Sequence, residues 1–330
     1  MSSLLVKDEV AVIIPTLNSS IYLSESIESI INQTWKNTKI YILDGGSSDI
    51  TLDIAYAYAK KYDNFKVIIR PNVHPCKRVD ECIQNITSPY IALQHSDDIS
   101  YKSRIETQIQ AFKSDPELAV CSAWYRSFWH QRVQNPAHSG DALHIKPCSH
   151  EEIKCELIFW WVMHSPTLML DRVKAISANL KFENNFIYIN DYWQTVEHIN
   201  NLKYINIGQE LSAYRLHLSG DGAKNSDKIF AEEAILKEKV LKKFGFIFTP
   251  KELETHLKIK IIPDGKLLCN TQDEYAEVIA WLYSLIKQNE QLKAFNVDKF
   301  NNVVKIIIKE VAKNLNPKSK PSIISRFLKL

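Results

Sequence analysis

Residues 10–18 read VAVIIPTLN, and the first six of these, Val10 to Pro15, decide the fold. Four β-branched residues and one alanine leave the segment without a polar face. That is the composition of a strand buried on both sides, as the strands of a parallel sheet are. Pro15 has no N–H to give to the ladder and ends the strand. The polar residues Thr16 to Ser20 follow, and then a helical spacing that puts Leu23, Ile27, Ile30 and Ile31 on one face. Working outward, the same unit repeats. Residues 39–43 predict a second strand, closed by Asp44 to Asp49, before a helix over 51–62 that turns Ile54, Ala55, Tyr58 and Ala59 inward. Further strands are predicted at 66–69, 90–93 and 118–124, with helices over 79–86 and 105–112 between them. Strands alternating with helices imply right-handed crossovers and a mostly parallel sheet flanked by helices, an α/β fold. Open sheets of this kind bind ligands beyond the carboxyl ends of their strands. Three such ends are polar here: Pro15-Thr16-Leu17-Asn18, Asp44 to Asp49, and His95 to Asp98. They are expected to converge on one crevice.

The second half is less regular. A polar stretch over 127–149 reads as a loop, residues 151–163 as a helix, and 167–170 as a strand. A helix over 192–200 follows Asp191, and residues 204–207 and 211–214 read as two short strands. After Gly220-Asp221-Gly222 the pattern becomes entirely helical, over 230–244, 274–288 and 300–313, with a capping box at Thr249-Pro250-Lys251-Glu252. A domain boundary is therefore placed at 222/223, ahead of an all-helical extension over 223–330.

Composition excludes several classes. Of 330 residues, 45% are hydrophobic and 24% charged, as in ordinary globular chains. No apolar run approaches the roughly 18–20 residues of a membrane helix, and residues 1–10 lack a signal core, so a cytoplasmic protein is expected. The six cysteines form no C-x-x-C pair and read as free thiols. The eight glycines build neither a dinucleotide fingerprint nor a P-loop. The net charge is +3, yet residues 299–330 alone carry +7. That basic tail suits either an anionic membrane surface or a solvated terminal helix. The sheet region is not basic overall, which argues against a nucleic-acid partner.

Four constellations can carry chemistry. Asp97 and Asp98, straight after a buried strand in His95-Ser96-Asp97-Asp98, suit a hard divalent cation gripping a diphosphate; the alternative is an acidic helix cap. Asp44 can accept from a nucleobase N–H or a ribose hydroxyl, with Gly45-Gly46 permitting close approach and Ser47 offering a hydroxyl; the alternative is a plain β-to-α turn. Asp191 is a helix cap or a general base. Arg215 and His217, in Tyr214-Arg215-Leu216-His217, can neutralise charge on a leaving group or form a surface ion pair. Lys77 and Arg78 are further candidates for a phosphate contact.

In order, VAVIIPTLN, SIINQTW, IYILDGGSSD, YIALQHSDD, NDYW and LSAYRLH resemble the family 2 glycosyltransferases of GT-A fold over about residues 10–220. Those enzymes typically read VSVIIPTYN, QT, VDDGSxD, DxDD, ED and YRxH. The resemblance implies inverting transfer of a sugar from a nucleotide diphosphate donor, UDP-linked by preference, to an acceptor hydroxyl, with Mn²⁺ or Mg²⁺ as cofactor. It implies a nucleotide-sugar half over about 10–125 and an acceptor half over about 126–222. Residue by residue, Pro15, Thr16, Asn18, Asp44, Gly46 and Ser47 would line the nucleoside pocket. Asp97 would meet the ribose, Asp98 the metal with His95 as an extra ligand, and Arg215 and His217 the diphosphate. Asp191 would be the catalytic base. Three positions depart from the pattern: His95 and Gly45 stand where the family has Asp, and Asn190 where it has Glu. The acceptor is expected to be a glycan, glycolipid or glycoprotein of a bacterial cell surface, with the basic tail holding the enzyme peripherally at the inner face of the cytoplasmic membrane. A catalytically degenerate nucleotide- or glycan-binding module on the same fold is the alternative.

Overall fold

A computed structural model describes residues 7–129, 142–183, 185–218, 220, 224–259, 269 and 271–313. The basic segment 314–330 lies outside the described residues.

The strands β1 (Val10–Thr16), β2 (Thr38–Asp44), β3 (Phe65–Ile69) and β4 (Tyr90–Leu93) are mutually parallel and carry the crossover helices α1 (Leu23–Ile31), α2 (Thr51–Lys61) and α3 (Pro75–Asn85). Beyond them come β5 (Ile99–Ser100), α4 (Arg104–Ser114), β6 (Leu118–Trp129), β7 (Ala142–His144), α5 (His150–Glu156), β8 (Met169–Asp171), α6 (Arg172–Ser177), α7 (Asn190–His198) and β9 (Lys203–Leu216). One sheet runs in the order β3-β2-β1-β4-β8-β6-β9-β5, with β7 on the flank of β6. Strand β8 is antiparallel to both neighbours, whereas β6 and β9 are parallel to each other.

Val10, Val12 and Ile14 face Leu23, Ile27 and Ile30 of α1 within one buried cluster, and Ala11 and Ile13 are equally inaccessible. Each such aliphatic side chain contributes about 1.5–3 kcal/mol on full burial. The register opposes Thr16 to Asp44, which brings the carboxyl ends of β1 and β2 side by side.

The short elements β5, β7 and α6 have no counterpart in the sequence reading, and three others differ from it in extent. The stretches 204–207 and 211–214 are one 14-residue strand, β9. Its pairing with β6 steps from Ala123↔Ile207 to Trp124↔Glu210, so Gly208-Gln209 is a bulge within the ladder and not a break. That long partner also draws β6 on to Trp129, into the stretch expected to be loop. Helix α5 stops at Glu156, short of the expected residue 163. Leu157, Ile158 and Phe159 are still fully buried, and the Ile158 carbonyl, freed from a helical ladder, is bonded by His256 Nε2 at 2.8 Å.

The described residues form two compact units. One holds the sheet and runs to Ser149, resuming over Met163–Asn225; the other takes His150–Val162 and everything from Ser226. The structure therefore assigns 150–162 to the helical unit, unlike the single cut placed at 222/223. That unit contains α8 (Ser226–Lys243), α9 (Pro250–Leu257), α10 (Gln272–Leu292) and α11 (Val297–Lys313). Capping boxes at Thr249/Glu252 and Thr271/Glu274 start α9 and α10. Phe246, Phe295 and Phe300 stack in its core. Among the described residues no helix is long and apolar enough to cross a membrane.

Candidate active site

The turn after β2 is built by Asp44. Its carboxylate is fully buried; Oδ1 accepts from the Gly46 and Ser47 N–H groups at 2.8 Å each, and Oδ2 from the Ser47 hydroxyl at 2.5 Å and the Thr16 hydroxyl at 3.2 Å. An aspartate bonding its own following backbone is the usual chemistry of such a turn. Gly46 adopts φ 94°, which only glycine reaches without strain. Asn18 donates its N–H to the Ser47 hydroxyl at 2.9 Å and accepts from the Ser48 N–H at 2.9 Å, so the ends of β1 and β2 are stitched together. Pro15 is half-buried at this edge.

Arg78, at the start of α3, lies buried beneath this turn. Its guanidinium donates to the carbonyls of Thr16, at 3.0 Å, and Leu43. A Cβ on Gly45 would lie 3.0 Å from Nη2 of that guanidinium, so a side chain there would require Arg78 to give way. Lys77, by contrast, reaches Glu183 at 3.9 Å.

The loop after β4 is held from below. Gln94 Nε2 donates to the Asp98 carbonyl at 2.8 Å and the His95 carbonyl at 3.1 Å. Gln94 Oε1 in turn accepts from Nη1 of the wholly buried Arg104 at 2.9 Å; the same nitrogen bonds Ser100 Oγ at 2.8 Å, and Nη2 bonds the Leu93 carbonyl at 2.7 Å. The loop thus presents His95, Asp97 and Asp98 together, their ligand atoms all within 4.8 Å of one another. Asp98 is 1% exposed: Oδ1 accepts the Arg215 N–H at 2.8 Å, whereas Oδ2 faces His95 Nδ1 at 3.5 Å and has no hydrogen-bond donor among the described residues. Burial and the adjacent Asp97 charge push the Asp98 pKa well up, against the pull of Arg215 and Arg104. Burial also raises Asp97, but its hydrogen bond from His217 and the nearby His95 outweigh it, and the net shift is downward. Two adjacent carboxylates with an orphaned oxygen, and an imidazole alongside, suit a divalent cation of the Mn²⁺ or Mg²⁺ type.

The end of β9 closes the group. Arg215 is 6% exposed, with its guanidinium sandwiched between the rings of Tyr22 and Phe128 at 4.8 Å from each. It donates to the Asp97 carbonyl at 2.8 Å and pairs with Glu25 of α1. His217 Nε2 meets Asp97 Oδ2 at 2.9 Å, and its ring lies 4.7 Å from Tyr22.

Asp191 occupies the first turn of α7 and is 3% exposed. Oδ1 accepts from the Tyr192 N–H at 3.0 Å, and Oδ2 is buried without a donor in hydrogen-bond geometry. Burial pushes its pKa up to about 8, against the pull of backbone N–H groups and the Ser165 hydroxyl. Ser165 Oγ also lies 3.3 Å from His95 Nε2, so it stands between Asp191 and the acid cluster. The β1 and β2 ends are bonded to each other, Ser19 Oγ lies 2.8 Å from Ser96 Oγ of the acid loop, Arg215 and His217 bond that loop, and Ser165 stands between it and Asp191. Sequence reading gave no role to Glu25, Arg104 or Ser165, which carry no local motif, nor to Gln94, which lies inside YIALQHSDD.

A sheet of this order, with a His-Asp-Asp cluster at its carboxyl edge, defines a GT-A-like architecture. The chain belongs to glycosyl transferase family 2, whose sequence profile matches residues 11–180. A Haemophilus influenzae protein described as an uncharacterized glycosyltransferase is 22% identical over 313 residues, covering 93% of this chain and 86% of its own. The cholesterol galactosyltransferase of Borreliella burgdorferi is 31% identical over 128 residues, 39% of this chain and 36% of its own. Among solved structures, S. aureus TarS 1–349 in complex with UDP-GlcNAc superposes with a TM-score of 0.55 at 16% identity, covering 97% of this chain and 88% of that one. The Pyrobaculum calidifontis mannosyltransferase PcManGT, in complex with GDP-Man and Mn²⁺, gives 0.55 at 12% identity over 92% and 86%.

Proposed function

We propose that this glycosyltransferase moves a sugar from a nucleotide diphosphate donor, UDP-linked by preference, to an acceptor hydroxyl with inversion at the anomeric carbon. The acceptor is a glycan, glycolipid or glycoprotein of the cell surface. One observation carries the reading: the acid cluster, the Arg215–His217 pair and Asp191 are held in one polar assembly, with orphaned oxygens on both Asp98 and Asp191. Structural neighbours that hold UDP-GlcNAc, UDP or GDP-Man support a nucleotide-sugar donor.

In this reading Pro15, Thr16, Asn18, Asp44, Gly46 and Ser47 shape the nucleoside pocket, and Asp97 faces the ribose. Asp98 and His95 would hold a divalent cation, which would supply positive charge to offset that of the diphosphate. Arg215 and His217 exchange their internal acids for phosphate oxygens and stabilise the charge that builds on the leaving nucleoside diphosphate. The acceptor oxygen attacks the anomeric carbon as the bond to the diphosphate oxygen breaks, and Asp191 takes the acceptor's proton. A carboxylate pushed up to about 8 is a stronger base than an ordinary one, and kcat/KM falls as pH drops below that value because the base becomes protonated.

Calorimetric titration of UDP with and without Mn²⁺, on wild type and Asp98→Asn, tests the donor site. Binding that needs Mn²⁺ and is lost in the variant is expected; no binding of UDP or of other nucleoside diphosphates under either condition removes the transferase reading. Peripheral attachment through residues 314–330 predicts that deleting them abolishes flotation with anionic liposomes. Unchanged flotation removes the tail from this account.

A further inference from the structure

We infer that Ser165 is a positioning residue that ties the His95-Asp97-Asp98 cluster to Asp191, its hydroxyl receiving a hydrogen bond from His95 Nε2 and donating its own proton to the Asp191 carboxylate. The inference rests on the transferase reading given above.

The geometry begins with His95. Nδ1 faces Asp98 Oδ2 at 3.5 Å, and Nε2 lies 3.3 Å from Ser165 Oγ. A neutral imidazole carries one ring proton, so one nitrogen donates while the other accepts or ligates. When Nδ1 offers its lone pair to a cation shared with Asp98, the proton resides on Nε2 and is directed at Ser165. Orientation of a ligating histidine through its other nitrogen is the general pattern of metal sites. Ser165 then has its single hydroxyl proton to give; its hydroxyl acts on the Asp191 carboxyl, whose buried Oδ2 lacks a donor in hydrogen-bond geometry. With Nδ1 protonated instead, Nε2 becomes the acceptor and takes the Ser165 proton, and Asp191 loses it.

Ser165 is held firmly enough for this task. It opens a single 3₁₀ turn, Ser165–Thr167, between Pro166 and the backbone of His164. Thr167 Oγ1 lies 2.5 Å from Ser122 Oγ and bonds the His164 carbonyl at 2.9 Å, the His164 N–H donates to Ser122 Oγ at 3.2 Å, and Gln108 donates to the Thr167 carbonyl at 2.7 Å. These bonds pin the turn between β6 and α4, so the hydroxyl does not need to be ordered at the moment of reaction. The link also gives a role to the two departures from the family's pattern: histidine replaces the first acid of DxDD, and Asn190 leaves Asp191 without a neighbouring carboxylate.

The test measures Mn²⁺ affinity by calorimetry in the presence of UDP, and steady-state kinetics, on the full chain and its Ser165→Ala and Ser165→Thr variants. Ser165→Ala is expected to weaken Mn²⁺ binding and lower kcat by about 10–100-fold, the usual cost of removing an outer-shell partner. At saturating Mn²⁺ the donor KM should stay within about twofold, and the acid limb of the kcat/KM profile should move to higher pH. Ser165→Thr keeps the hydroxyl and should restore both quantities, which a loss of fold in the alanine variant would leave readable. An alanine variant that matches wild type in Mn²⁺ affinity, kcat and pH profile overturns the assignment, as does a threonine variant that folds yet rescues neither. If wild type itself neither binds UDP with Mn²⁺ nor turns over, the transferase reading fails instead.

Discussion

The two units bury charge in opposite ways. In the sheet unit Arg104 is wholly inaccessible and bonds only neutral oxygens, those of Gln94, Gln108, Ser100 and backbone carbonyls. In the helical unit Lys237 is as deeply buried but has Glu233 at 3.2 Å and the Ile259 carbonyl at 3.2 Å. His256 nearby uses both ring nitrogens, accepting from Trp281 Nε1 at 3.0 Å and bonding Ile158 at 2.8 Å, and Asn289 bonds the Phe295 backbone at both ends. Those groups neutralise one another and fix the packing. In the sheet unit the polar chain ends instead on Asp98 Oδ2 and Asp191 Oδ2, two buried oxygens without donors. A buried polar atom without a partner is costly, and in a native fold it marks a place where something else is meant to bind or react.

The sharpest way to break this contrast is Asp191→Asn. Turnover is expected to fall by about 10²–10⁴, the range for a lost general base, while donor binding measured by calorimetry persists. A catalytically degenerate binding module would show no turnover to lose. Stability should move the other way. The folded pKa of Asp191 is raised from 3.8 to about 8, so the neutral form is favoured in the fold, and its stabilising contribution disappears as pH rises from about 4 through 8. The asparagine variant should therefore gain on the order of a few kcal/mol at pH 8 and little at pH 4, read from thermal unfolding at the two values. Equal melting temperatures for variant and wild type at pH 8 would mean that the carboxylate is not strained by burial.

A smaller effect sharpens the helical side. Burial, with help from Lys237, holds His256 down at about 3, below its ordinary 6.5. The unfolded chain takes up a proton first as pH falls through 6.5, so stability declines progressively between 6.5 and 3. Glutamine at 256 keeps a donor and an acceptor without titrating. His256→Gln should flatten the acid slope of the melting temperature while costing about 1–3 kcal/mol at neutral pH through imperfect packing. An unchanged acid slope would assign the pH sensitivity to other groups.

Much of the site was legible because it is local. Pro15-Thr16-Leu17-Asn18, Asp44 to Ser47 and His95 to Asp98 each follow a strand whose apolar composition announces it, and the topology then forces their ends together. Arg215 and His217 stood out only through the family resemblance, since by themselves they suit a surface ion pair equally well. Arg78 drew notice only as a candidate phosphate contact, since nothing near it in sequence says that it lies under the turn between β1 and β2. Ser165 and Glu25 are ordinary residues until β4, α7 and β9 arrive beside them, from as far away as 190 positions in the Glu25–Arg215 pair. The merging of the two expected short strands into β9 has the same origin, because Gly208-Gln209 is a break by local preference and a bulge once β6 runs alongside.

The approach of Gly45 to Arg78 has a consequence for substitution. A side chain at position 45 and a full guanidinium at position 78 compete for the same few ångströms. An aspartate at 45 would push the guanidinium back by a few tenths of an ångström and set a carboxylate beside its charge. A substitution at either position therefore changes both the space and the charge that the other meets.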